Sequence, residues 1–315
     1  MDNFFDNQRI LNLIWKRKFH FVVIGIVAIV LSAIFSGPAF ITPKYKSTAR
    51  IYPTNIWTLS DESETEQMLE VLNSNDLKFR MFDEFELGKV YEISKDDPNY
   101  FTYMLDIYNT NVTSNKTKFE TAEITVMDYD PQRASDMCDS IISFYNDKVG
   151  ELHKAKEKEM LEISQKALDR KYQELSEIEK ELNSIRKESG IIDFEQQVSE
   201  LTRGYMNALA NGRGSSADTK TIQKLYTNFS EKGTAAVVAE SKFKRAVHVI
   251  DSLTNVYDAH LAEYEKDITY SHVVEYPFPA DKKSYPVRWL IVAFSVLSAV
   301  FFSLLVFLVL DYQKA

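Results

Sequence analysis

Five histidines, one cysteine and scattered carboxylates are what this chain offers for chemistry, and their spacing builds no reaction centre. His20, His153, His248, His260 and His272 show none of the short intervals that let imidazoles converge on one ion. His260 and Glu263 stand three apart, as in helical carboxylate–histidine metal sites, but lack companions and read as a surface pair. Cys138 falls on an apolar helix face, where a thiol packs rather than reacts. Asp96 and Asp97 lie in a polar loop and read as solvated. Gly212 and Gly214 look like a fragment of a phosphate loop, yet no strand precedes them. Neither G-x-x-x-x-G-K-S/T nor G-x-G-x-x-G occurs. Triplets of the glycosylation pattern begin at Asn111, Asn115 and Asn228, but an Asn- and Thr-rich loop produces such matches by chance. No catalytic residue, no cofactor and no metal ligand is therefore expected, and the chain reads as a non-enzyme.

Composition narrows the classes further. The net charge of −9 argues against nucleic acid, which demands basic patches. A single cysteine excludes an internal disulfide framework, so stability must come from packing and assembly.

What organises the chain is a pair of apolar runs. Trp289 to Leu310 holds no charge, no Pro and no Gly, bounded by Arg288 and Asp311. About 20 apolar residues suffice to cross the hydrocarbon core. Trp289 and Tyr312 stand at its two ends, where amphipathic rings favour the headgroup layer. Phe19 to Ser36 is the second run, headed by Lys16, Arg17 and Lys18, which favours a cytoplasmic amino end. A cleaved signal peptide is the alternative, but its apolar region usually runs about 7–15 residues, so retention is expected. Both ends are then cytoplasmic, with roughly 250 residues between Thr42 and Arg288 on the far side. Small residues step by four along both runs: Ala28, Ser32 and Ser36, then Ser295, Ala299 and Ser303. Such ridges let membrane helices approach closely, within a chain or between neighbours.

Between the spans, residues 44–52 read as a strand, and Asp61–Gln67 as an acidic helix start with Met68, Leu69 and Leu72 on one face. Asn73–Leu77 breaks that helix, and a short one resumes over Lys78–Leu87. Tyr103–Tyr108 and Lys118–Met127 both read as strands on their β-branched and aromatic content. Asp130 is placed to cap a helix whose first turn holds Pro131, with Ala134, Met137, Cys138, Ile141, Ile142 and Tyr145 on its apolar side. Together these make a small α/β domain.

From Lys148 to Glu188 ten Lys/Arg meet ten Asp/Glu, a solvated and nearly neutral helix surface. Leu168, Tyr172, Leu175, Ile178, Leu182 and Ile185 step by three or four and predict a coiled-coil seam, toward a return helix or a neighbouring subunit. About 40 residues of such helix reach roughly 60 Å. Ser189-Gly190 closes it, and another helix carries Val198, Leu201 and Tyr205 in phase. Asn211 to Ser216 reads as a tip or interruption. A return run has Phe243, Ala246, Ile250, Leu253, Tyr257, Leu261 and Tyr264 in register. Ile268–Glu275 then reads as a last strand, and Pro277, Pro279 and Pro286 as a stiff linker before the second span.

Taken in order, these features resemble the polysaccharide co-polymerases, the Wzz-type chain-length determinants of Gram-negative inner membranes. The features that carry the resemblance are the basic-then-apolar start followed by the strand Lys44–Ala49, and Asp130-Pro131-Gln132-Arg133-Ala134, similar to the family's D-P-x-x-A helix start. The long charged helix and the Pro277, Pro279, Pro286 segment complete it, although the proline spacing departs from the family's more regular pattern.

The resemblance implies an α+β membrane protein: two transmembrane helices flanking a periplasmic basal α/β domain with a long protruding helical hairpin. The expected boundaries are 1–18 cytoplasmic, 19–41 first span, 42–145 base, 146–267 hairpin, 268–288 return strand and linker, 289–310 second span and 311–315 tail. It further implies a ring-like homo-oligomer in the bacterial inner membrane, working beside an integral-membrane polymerase that extends a lipid-linked glycan such as O-antigen. Membrane lipids are the other expected partner. Such proteins set chain length without making or breaking a bond. Because this chain stops at Ala315, it resembles the type without a kinase domain, in which any kinase partner is a separate chain.

Two other classes share the two-span plan. An adaptor in a polysaccharide export complex would need more reach than about 60 Å of hairpin plus a base supplies. A sensory receptor would need an output domain that the short cytoplasmic ends do not hold.

Overall fold

The computed structural model describes residues 7–56, 61–212 and 217–312. In chain order the elements are α1 (Asn7–Lys16), α2 (Lys18–Phe35), β1 (Lys44–Pro53), α3 (Glu64–Leu72), α4 (Asn75–Glu84), α5 (Leu87–Val90), α6 (Tyr100–Asn111), β2 (Val112–Lys116), β3 (Ala122–Asp128), α7 (Pro131–Ser189), α8 (Phe194–Ala210), α9 (Ala217–Glu265), β4 (Ser271–Glu275), β5 (Lys283–Tyr285) and α10 (Arg288–Tyr312). The chain divides into two units: one comprises residues up to Gly150 and from Thr269 onward, the other Glu151–Ile268.

In the first unit an antiparallel sheet runs β2-β3-β1-β4, with β5 also pairing with β1. Ser47, Ala49 and Ile51 of β1 face Val126, Ile124 and Ala122 of β3 in register. All six are buried, because alternate residues of a strand share a face. The first turns of α7 cover that face: Ala134, Met137, Cys138, Ile141 and Tyr145 are excluded from solvent. Met68 and Leu72 of α3 and Met81 and Phe82 of α4 complete the core. Ser63 caps α3 with a reciprocal capping box to Glu66.

Three sequence expectations change here. Tyr103–Tyr108 is not a strand but the middle of α6, where Tyr100, Met104, Tyr108 and Asn111 are buried at helical spacing. Periodicity outweighs the aromatic content that suggested β structure. The Asn- and Thr-rich stretch after it, expected as loop, is strand β2, paired to β3 from Val112 to Lys116. The return helix begins well before Phe243, since α9 starts at Ala217.

Among the described residues, two helices are long and apolar enough to cross a membrane, Lys18–Phe35 and Arg288–Asp311. They pack against each other. The Phe307 ring meets Phe21 edge-on at 5.3 Å, and Arg17 lies 4.8 Å over the same ring, so the start of α2 adjoins the end of α10.

The second unit is helical: the remainder of α7, then α8 and α9. Gly190 ends α7 with φ of +71°, a conformation that favours glycine. Asn211 and Gly212 end α8 in a turn; residues 213–216 of the expected tip lie outside the described residues.

Candidate functional site

The junction from β3 into α7 is built by carboxylates at short range. Asp130 Oδ1 accepts from Gln132 N at 2.9 Å, and Ala134 N donates to Asp130 O at 3.0 Å, closing the first turn. Pro131 occupies the first helical position, where its missing N–H costs nothing. Asp128, almost wholly buried, accepts from Asp130 N and pairs with Arg133. Ala134 has no exposure, so any larger side chain there would meet the sheet.

Cys138 lies in the same contact. Burial, partly offset by hydrogen bonds that the sulfur accepts from Ser47 and from the Val126 backbone, pushes its thiol up to about 12. A thiol that holds its proton so firmly is a poor nucleophile.

Farther along α7, Asn146 ties the helix to the returning chain. Its Oδ1 accepts from Tyr270 N at 2.8 Å, and its Nδ2 donates to Ser271 Oγ at 2.9 Å. After β4, Pro277 is half-buried, Pro279 exposed and Pro286 buried. Between the first two, the Phe278 carbonyl accepts from Ser47 Oγ at 3.0 Å.

In the apolar helix pair, Ser32 and Ser36 are buried and Ala28, Ser295, Ala299 and Ser303 half-buried. The serine hydroxyls turn back onto their own helices: Ser32 to Ile29 O, Ser36 to Ala33 O and Ser303 to Val300 O. Each ridge therefore presents small and internally satisfied side chains.

In the second unit the least exposed positions of α7 follow a strict heptad. Glu157, Ser164, Lys171, Ile178 and Ile185 form one line, and Leu161, Leu168, Leu175, Leu182 and Ser189 the other. Of the residues named from sequence, Leu168 and Leu182 are buried and Leu175, Ile178 and Ile185 half-buried. Tyr172 is 52% exposed, and the seam position beside it belongs to Lys171.

Small residues of α9, among them Ala236, Ala239 and Ala246, are buried on the facing helix. Ion pairs Glu188–Lys232 at 2.9 Å and Glu181–Lys242 at 3.7 Å run along the antiparallel flank. Near the α7–α8 turn, Ile191, Phe229 and Ala236 form a small core with Phe194 stacked on Phe229. His260 does not depend on Glu263; its Nδ1 lies 2.7 Å from Glu157 Oε2 on the other helix. Among the described residues no group of three His, Cys, Asp or Glu is placed to hold a metal ion.

A cleft in the first unit went unforeseen. Its wall includes Lys44, Tyr91, Glu92, Asp106, Asn111 and Tyr129. Lys44 Nζ donates to Asn111 Oδ1 at 2.7 Å, and burial lowers the ammonium against the pull of Asp128.

Comparison with known proteins gives the following. Residues 3–85 match the family model Wzz, described as chain length determinant protein. No curated protein matches the chain. Among solved structures, a full-length bacterial polysaccharide co-polymerase is similar at 13% identity, covering 96% of this chain and 97% of its own, with a TM-score of 0.47. The wild-type Shigella flexneri lipopolysaccharide O-antigen chain-length regulator WzzBSF is similar at 12% identity over 76% of this chain and 100% of its own, TM-score 0.33. A fragment of WzzB, the polysaccharide co-polymerase from Salmonella Typhimurium, is similar at 11% identity over 77% and 100%, TM-score 0.29.

Proposed function

We infer that this chain, a member of the Wzz-type family on the strength of its residues 3–85, is a two-span inner-membrane scaffold. Its work is to regulate the chain length of a lipid-linked surface polysaccharide, O-antigen or a related glycan, made by a membrane polymerase. The observation that carries the reading is the family match, which spans the first apolar helix and runs to the end of α4. The second apolar helix, packed on the first, supports a two-pass arrangement with both termini cytoplasmic and the rest in the periplasm.

The reading requires no bond to be made or broken. A regulator of this kind acts by holding: it keeps polymerase and growing product together for a limited time. The alternating apolar and charged lines of α7 and α9 support assembly, because a helix surface of that pattern accepts partners along its flank as well as its seam. Copies related by a heterologous contact that closes on itself form a ring.

The test is the particle mass of the full chain in mild detergent across a range of concentrations. A single closed assembly of many copies is expected. A monomer at every concentration contradicts the scaffold.

A further inference from the structure

Four separated stretches of the first unit assemble the wall of the cleft, which encloses about 690 Å³. They are the strand that follows α2, the turn after α5, the last turns of α6 and the residue after β3. Its floor is polar and buried. Asn111 is only 2% exposed, with its oxygen accepting from Lys44 and the Tyr91 hydroxyl as a polar neighbour. Behind these lie Asp128 and Arg133, paired with each other, each keeping one buried polar atom without a hydrogen bond. The Tyr129 ring stands beside Lys44, its centroid 5.4 Å from Nζ. Glu92 and Asp106 are exposed on the solvent side of the wall.

The chemistry of this wall narrows the occupant. An anion would meet one ammonium and the two carboxylates Glu92 and Asp106, while Asp128 behind them is offset by its partner Arg133, so phosphate and sulfate are disfavoured. An apolar ligand would strand the Lys44–Asn111 pair without solvent. A neutral molecule rich in hydroxyls satisfies both carboxylates and the amide as donor and acceptor, and can lay a C–H face on a tyrosine ring. The volume falls within the range of small-ligand pockets, about 300–1,000 Å³. Position points the same way: Lys44 stands nine residues after the last residue of α2, so the cleft lies at most about 30 Å from the end of that helix.

We propose that this cleft binds a neutral saccharide unit of the growing glycan, close to the membrane face. The proposal rests on the chain-length reading above, which places such a glycan beside this protein.

The experiment is saturation-transfer NMR on the full chain in detergent. The probe is the oligosaccharide repeat released by mild acid from the producing strain's surface glycan, with lipid and phosphate removed. Sugar-ring protons are expected to take up saturation from the native chain. The variant Glu92→Gln/Asp106→Asn should bind about tenfold more weakly, as expected for loss of hydrogen bonds to charged groups. Its unfolding midpoint and particle mass should not change, because both side chains are exposed. Tyr129→Ala should weaken the same signals.

Equal binding by native chain and variants overturns the proposal, as does no transfer to the native chain. Binding only of the fraction that retains its phosphate also overturns it, and assigns the cleft to a phosphorylated headgroup. The glycan ladder separates the two readings. A modal length that depends on the gene, with no sugar bound, removes the cleft and leaves chain-length control standing. A ladder indifferent to the gene removes chain-length control whatever the cleft binds.

Discussion

Nδ1 of His260 lies 2.7 Å from Oε2 of Glu157, joining α9 to α7 across 103 positions of sequence. The Glu157 side chain is 5% exposed, so this carboxylate has exchanged water for one imidazole. A buried polar pair in a heptad seam is weak evidence for stability, but breaking it from one side is costly. His260→Ala should lower unfolding stability by about 1–3 kcal/mol, the usual cost of orphaning a buried acceptor. Glu157→Leu together with His260→Leu should recover that loss. Chemical denaturation of Glu157→Leu, His260→Leu and the double closes the cycle; additive losses would show that the pair is not coupled.

Gly233 provides a test whose sign runs against helix propensity. In a helix interior, Gly to Ala ordinarily stabilises by up to about 1 kcal/mol. A Cβ at Gly233, however, would run into the ring of Phe194, which is stacked on the buried Phe229. Gly233→Ala should therefore destabilise by about 1–3 kcal/mol, as overpacking does. Gly204→Ala, whose Cβ meets nothing within 4 Å, should stabilise. Unfolding midpoints of the two variants should move in opposite directions.

At the head of α7 the cap can be weighed alone. Asp130→Ala removes the acceptor for Gln132 N and should cost about 1 kcal/mol, whereas Asp130→Asn or Asp130→Ser should cost little. Equal losses in all three would show that the charge, not the hydrogen bond, is what matters there.

Acid should weaken the second unit at His153 before its carboxylates titrate. Burial first, then Lys266 and Lys156, hold this imidazole below its ordinary 6.5. As pH falls through 6.5 the unfolded chain takes up a proton that the folded chain still refuses. Stability therefore falls with pH over that window and levels off below the folded value. His153→Gln should flatten the unfolding midpoint between about pH 7.5 and about pH 5.5. The ion pair Glu188–Lys232 holds that carboxylate below 4.5 and contributes only above it, so its loss comes at lower pH.

Much of this architecture was legible because it is written in local signals. Uncharged runs mark α2 and α10, Asp130-Pro131 marks the start of α7, and steps of three and four mark the seams of α7 and α9. Where the signal was mixed the reading failed: aromatic and β-branched residues over Tyr103–Tyr108 mimic a strand, while only their helical burial at Met104 and Tyr108 identifies α6. The partner of His260 was not legible, since nothing local tells which helix face lies across from it. The cleft was beyond reach for the same reason. Lys44, Tyr91, Asp106 and Tyr129 are ordinary surface residues in sequence and become neighbours only when the sheet closes.

The most direct test of the central claim is the glycan ladder of a strain lacking this gene, run beside the intact strain and a strain complemented with the native chain. Chain-length regulation predicts that a narrow modal band becomes a broad distribution without the gene and narrows again on complementation. Polymer trapped inside the cell would instead assign an export role, and a ladder identical in all three strains would contradict the account.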